Sequence, residues 1–177
     1  MKHFRSSVAG LLACLAGLAA AHEGAHERLD HATHSIETQP ESQQLYLRRG
    51  RLYVEMERFD AARADFDTAA RLGPADLVAF DYGVLCYQMA DMECALQAFN
   101  RYIKVYPGDA AAYEYRSRVY QHIEQNSLAL ADLRRYFARS GNPAPGLYVS
   151  ASLLAQEVGQ DREGLSILDE GLARLGM

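Results

Sequence analysis

The chain has 177 residues, 49% of them hydrophobic, and a formal net charge of −5. That length fits one domain, and that apolar content excludes a disordered chain. An acidic chain lacks the basic surface that phosphate binding needs, which argues against a nucleic-acid partner.

Residues 1–21 read as a secretory signal. Lys2 and Arg5 give a positive start, residues 8–18 form an apolar run, and Ala19, Ala20 and Ala21 offer small residues for cleavage before His22. The run is shorter than the ~20 residues that span a bilayer. Loss of this segment takes the charge from −5 to −7, because it holds two bases and no acid. The expected location is periplasmic or secreted. A competing reading is a lipoprotein, because Leu11, Leu12, Ala13 and Cys14 resemble a bacterial lipobox with Cys14 as the lipidated residue.

Residues 22–42 form a His-rich leader that carries His22, His26, His31 and His34. Residues 22–26, HEGAH, match the zincin pattern H-E-x-x-H, but the extended motif would need glycine at 29 and histidine at 32, where the chain has Leu29 and Ala32. On a helix Glu27, His31 and His34 share one face, and His22 and His26 another. Imidazoles so grouped suit Zn, Cu or Ni. These four histidines are the candidate metal ligands, and a metal-binding accessory is the alternative function. Leu29, Ala32 and Ile36 form an apolar stripe, and Pro40 lies 34 residues before Pro74. The segment is therefore expected to be half a repeat, one helix that caps an array of helix pairs.

The next stretch, residues 45–74, organises the rest. Leu45, Tyr46, Gly50 and Tyr53 recur at helical spacing, as do Ala62, Phe66, Ala69 and Ala70, with a polar turn between. Gly50 costs about 1 kcal/mol in mid-helix, so a neighbouring helix must come close there. Gly73 is expected in the helix-exit conformation ahead of Pro74. Gly83, Ala95, Phe99 and Pro107 succeed Gly50, Ala62, Phe66 and Pro74 by 33 residues. Ser117, Ala129, Leu133 and Gly141 come 34 further on, and Ser152, Gly164 and Leu168 come 35 beyond Ser117, Ala129 and Leu133. Separate positions holding one register mark an internal repeat.

From residue 43 to the end the chain resembles the tetratricopeptide repeat (TPR) family. The first repeat matches at Tyr46, Gly50, Tyr53, Ala62, Phe66, Ala69 and Pro74. Later repeats depart at Cys86, where Tyr is usual, and at Tyr102 and Tyr136, where a small residue is usual. The resemblance implies an all-α fold, a right-handed αα-superhelix of about four helix-turn-helix repeats (about 43–75, 76–109, 110–143 and 145–177) behind the half-repeat helix. It also implies that the first helix of each pair lines a concave groove holding a partner peptide or protein. The groove-facing phase carries Leu47, Arg51, Val54, Phe80, Val84, Tyr87, Gln88, Glu114, Arg118, Gln121 and His122, continuing to Val149 and Leu153. Tyr and Arg are favoured at interface hot spots, and Arg51 and Arg118 could grip a carboxylate. The family's two-carboxylate clamp is not matched, since Leu47, Arg51, Asp81 and Glu114 stand at its Lys and Asn positions.

Cys86 and Cys94 fall on the two helices of the second hairpin. Packed helix axes lie about 8–10 Å apart, and a disulfide needs Cα atoms within ~7 Å, so two buried thiols are the expectation. Residues 140–146 are the one loop rich in breakers. Leu172, Leu175 and Met177 leave an apolar end suited to self-association or a partner contact. No Gly-rich phosphate loop and no triad appear, so the chain is expected to be a non-catalytic scaffold without a cofactor.

Overall fold

The computed structural model describes residues 24–176, and among these there are nine helices and no strand. The signal-like segment with its Cys14, His22 and Met177 lie outside the described residues. Helix α1 covers 24–38. After it come α2 (Gln43–Glu55), α3 (Phe59–Leu72), α4 (Ala75–Gln88), α5 (Met92–Val105), α6 (Ala110–His122), α7 (Asn126–Arg139), α8 (Pro145–Glu157) and α9 (Asp161–Leu175). The chain divides into two compact units at Pro74–Ala75.

The first unit holds α1 to α3. Leu29, Ala32 and Ile36 are buried, the first two against Leu52 of α2. Arg28 also reaches Glu55 at 3.1 Å. Helices α2 and α3 pack as a hairpin around Phe66, which is fully buried. A methyl placed on Gly50 would run into the Phe66 ring. Gly73 departs from expectation: its φ of −164° is extended, not left-handed. Its role is space. The Gln43 amide occupies the position its Cβ would take and donates to Ala69 O (3.0 Å) and Pro74 O (3.2 Å), closing the end of α3.

The second unit holds three hairpins, α4–α5, α6–α7 and α8–α9, stacked in order. In the first of these, a methyl on Gly83 would lie 2.6 Å from the Phe99 ring, which has no exposure. In the next, the small residue is Ser117, fully buried, with Leu133 in place of the aromatic. In the last, Ser152 keeps the small position and faces Gly164, where a methyl would meet the Ser152 backbone oxygen at 3.0 Å; the glycine-against-ring contact is made by Gly171 of α9, where a methyl would lie 2.8 Å from the Tyr148 ring. The departures at Tyr102 and Tyr136 are both buried, and Tyr102 shows why a large side chain is accepted. It packs beside Phe80 and Tyr106, and its hydroxyl donates to Asp109 (2.8 Å), which caps α6 through the Ala111 amide. Burial, reinforced by that carboxylate, pushes the Tyr102 phenol above its ordinary range.

All four hairpins turn in one way. Glu57, Ala90, Glu124 and Gly159 each adopt positive φ, at 56°, 58°, 59° and 74°. The next amide then reaches back to the helix, as Arg58 does to Tyr53 O at 2.8 Å and Gln125 to Tyr120 O at 2.8 Å. This is the helix-ending motif that favours glycine, yet only the last turn has one.

A second regularity links α2–α3 with α6–α7. Arg49 forks onto Asp65 with two 2.7 Å bonds, while Arg116, 67 residues later, forks onto Asp132 at 2.7 and 2.9 Å. Each guanidinium sits 5.7 Å from two tyrosine ring centres, Tyr46 and Tyr53 or Tyr113 and Tyr120. Hydrogen bonding to Asp65 raises the Arg49 pKa. For Arg116, burial acts to lower it and bonding to Asp132 outweighs that. The corresponding places in the other two hairpins hold Tyr82 and Ala98, and Ala151 and Ile167.

Gly83→Ala should destabilise the protein by about 1–3 kcal/mol through overpacking against Phe99, although helix propensity alone would favour alanine. An unchanged or higher urea midpoint would show that Phe99 yields freely. Glu124→Gly should instead raise the midpoint, by roughly 0.5–1 kcal/mol, by removing left-handed strain, and Gly159→Ala should lower it similarly. Opposite signs would contradict the turn geometry.

Candidate partner-binding surface

In the first unit the predicted groove positions separate by burial. Leu47 is only 4% exposed and belongs to the core, so its assignment to an open groove is corrected: its side chain is not available to a partner. Arg51 is exposed and Val54 half-buried.

In the second unit α4, α6 and α8 are the first helices of successive hairpins, and α4 and α6 touch directly. Phe80 is drawn into the seam between hairpins. Its ring centre lies 5.8 Å from Phe99, 5.3 Å from Tyr102 and 5.4 Å from Tyr115, so it is a wedge and not an open anchor. Val84 packs, half-buried, on the same cluster. Beyond it a shallow recess of about 310 Å³ is lined by Tyr87, Arg118, Gln121 and His122. All four are predicted groove residues, and the structure brings them together. Gln88 is exposed nearby in sequence.

Arg118 is held in place from below. One Nη donates to Glu114 one turn back, and the guanidinium lies 5.2 Å from the Tyr115 ring centre. Its side chain is nonetheless 44% exposed. Gln121 donates to Ser117 O at 3.3 Å, leaving its carbonyl oxygen to the recess. The lining thus carries an arginine, a histidine and a phenol, and no carboxylate. On α8, Val149 and Leu153 are 51% and 56% exposed, high for apolar side chains on a helix face. Tyr115 was not among the predicted groove residues. It stacks on Phe99 and supports Arg118, and its place three residues before that arginine on α6 was the available signal.

The cysteines correct the sequence expectation. Cys86 and Cys94 form a disulfide, with Cα atoms 5.7 Å apart. They flank the α4–α5 turn, where the two helices converge before reaching full interaxial separation. The bond anchors the end of α4 beside Tyr87.

Among the described residues, His26, His31 and His34 form no metal-holding group. His31 faces Glu27 at 4.0 Å and His34 faces Glu37 at 3.3 Å, while His26 is exposed elsewhere on α1. Among the described residues no group of three or more His, Cys, Asp or Glu side chains could hold a metal ion. Among the same residues no helix is long and apolar enough to cross a membrane.

No protein-family model and no curated protein matches the sequence. Solved structures do match the fold. MamA is similar at 15% identity over 84% of this chain and 86% of that one, with a TM-score of 0.70. MamA from Desulfovibrio magneticus RS-1 is similar at 13% identity over 93% of both, with a TM-score of 0.69. YrrB, described as a TPR protein with an unusual peptide-binding site, is similar at 16% identity over 89% of this chain and 81% of that one, with a TM-score of 0.62. The chain has the tetratricopeptide-repeat fold. Its hairpins are TPR hairpins, and the recess lies on the helices that come first in each.

The disulfide closes a short loop. Replacing both cysteines with serine should cost roughly 2–3 kcal/mol through the chain entropy returned to the unfolded state. The check is urea denaturation with and without reductant. A midpoint insensitive to both changes would show that the bond constrains nothing.

Proposed function

We propose that this protein is a non-catalytic adaptor that holds a segment of a partner protein across α4, α6 and α8. The observation that carries this reading is the recess at Tyr87, Arg118, Gln121 and His122, to which α8 adds the exposed Val149 and Leu153 on the first helix of the next hairpin. Arginine and tyrosine at a recess, and solvent-facing apolar side chains, are residue types that a partner can desolvate with gain. The peptide-binding site named for YrrB supports the reading by analogy of fold.

We place the protein outside the cytoplasm. The pattern of residues 1–21 supports export, and the Cys86–Cys94 bond supports an oxidising compartment.

The test is affinity capture from a periplasmic extract, using the chain without residues 1–21 and its Tyr87→Ala, Arg118→Glu double variant, with and without a chelator. Neither position is buried, so the variant should fold with unchanged circular dichroism. A partner retained by the native chain should be lost by the variant, by about tenfold or more, and be indifferent to the chelator. Equal capture by the variant would refute this surface. Loss with the chelator would move the function to the histidine segment.

A further inference from the structure

The last hairpin leaves open a face that the hairpin before it buries. In α7 that face is Leu130, Leu133 and Phe137, at 1%, 0% and 5% exposure. Helix α8 packs on α7, with Tyr148 stacked on Phe137 at 4.3 Å between ring centres. The repeat puts Leu165, Leu168 and Leu172 of α9 at the same three places, 35 residues on. There Leu165 is 65% and Leu172 47% exposed, and Leu168 is half-buried. Their steps of three and four residues make one apolar stripe along the helix.

The rim of the stripe selects the occupant. Arg162 and Asp169 edge it on one side, seven residues apart and so nearly in line along α9. Both are exposed, and among the described residues neither has an ion-pair partner, whereas Glu163 and Arg174 are held by Arg134 and Glu170. Two α9 helices laid antiparallel put leucine on leucine and turn the Arg162 end of each toward the Asp169 end of the other. A parallel pair would set like charge on like charge. Such self-complementarity is what a two-fold contact between identical chains requires. A head-to-tail stack would instead need an uncovered first helix on the second copy. Helix α2, the one first helix with no hairpin before it, is covered by α1 through Leu29 and Ala32 on Leu52 and Arg28 on Glu55.

We propose that α9 is a self-association surface: an antiparallel two-fold contact of Leu165, Leu168 and Leu172 between two copies of this chain, rimmed by Arg162–Asp169 pairs. The surface shares no residue with the recess or with Val149 and Leu153, and it does not depend on the adaptor reading.

The test is sedimentation velocity over a concentration series, with the chain lacking residues 1–21, which keeps every described helix. The native chain should sediment as a dimer that dissociates on dilution. The Leu165→Asp, Leu172→Asp double variant should raise the dissociation constant by about tenfold or more, with unchanged circular dichroism because neither side chain is buried. Arg162→Asp and Asp169→Arg should each weaken the dimer by about tenfold, since like charges then meet across the axis. An equimolar mixture of these two variants should regain native affinity as a mixed dimer. The Tyr87→Ala, Arg118→Glu variant should dimerise as the native chain does. A native chain that stays monomeric, a dimer that survives the leucine changes, or charge variants that do not pair on mixing each overturn the proposal. Loss of the dimer in the Tyr87→Ala, Arg118→Glu variant also overturns it and moves self-association to the recess. A monomer that captures a different protein through Leu165 and Leu172 assigns the face to that protein and refutes self-pairing.

Discussion

The hairpins depend on one steric relation, a small residue on one helix against a bulky side chain on its partner. Gly50 with Phe66 and Gly83 with Phe99 state it most sharply, because a single methyl would overlap the ring in each case. A helix interior is a poor place for glycine. It is tolerated here because the buried aromatic recovers more in contact than the backbone loses in freedom. Ser117 and Leu133, both fully buried, hold the same two places with less aromatic mass, and in the last hairpin the glycine under a ring is Gly171 of α9, set against Tyr148 of α8. The rule is thus the close approach of two helices, and the residue that permits it is free to change sides.

Upon this constraint the chain lays a longer period. The arginine–aspartate fork between two tyrosines occurs in α2–α3 and in α6–α7 and is replaced by uncharged residues in α4–α5 and α8–α9. A buried guanidinium is stabilised only when its partner is fixed and its faces are covered, and the two tyrosine rings together with the bidentate carboxylate meet both needs. The same alternation reaches the positions two residues on, where Arg51 and Arg118 take turns with Val84 and Leu153. Surface and interior therefore vary together, and the chemistry available to a partner is set by which kind of hairpin stands behind it.

The recess illustrates how support is divided. Phe80 meets Phe99 and Tyr115 edge-on in the seam, Tyr115 stacks on Phe99, and Tyr115 in turn carries Arg118. The Cys86–Cys94 bond secures the end of α4 from which Tyr87 projects. An arginine so placed loses less rotamer freedom on meeting a partner than one on a free surface, which is the physical advantage of preorganisation.

Much was legible from residues alone. Helical periodicity, the register of Gly50, Gly83 and Ser117, and the stripe of Leu29, Ala32 and Ile36 determine the helices and their pairing, because burial of one face must repeat wherever the geometry repeats. Periodicity reports the face of a helix but not how deeply a neighbour covers it. Leu47 and Phe80 share a phase with Arg51 and Val84, and only packing decided that the first is core and the second a wedge. The disulfide was likewise a tertiary matter, since Cα separation depends on how far the helices have diverged from their turn. Gly73 kept its importance but changed its reason, from backbone conformation to room for Gln43. Sequence set the chemistry and its period; the approach of neighbouring helices decided which of those side chains remained available.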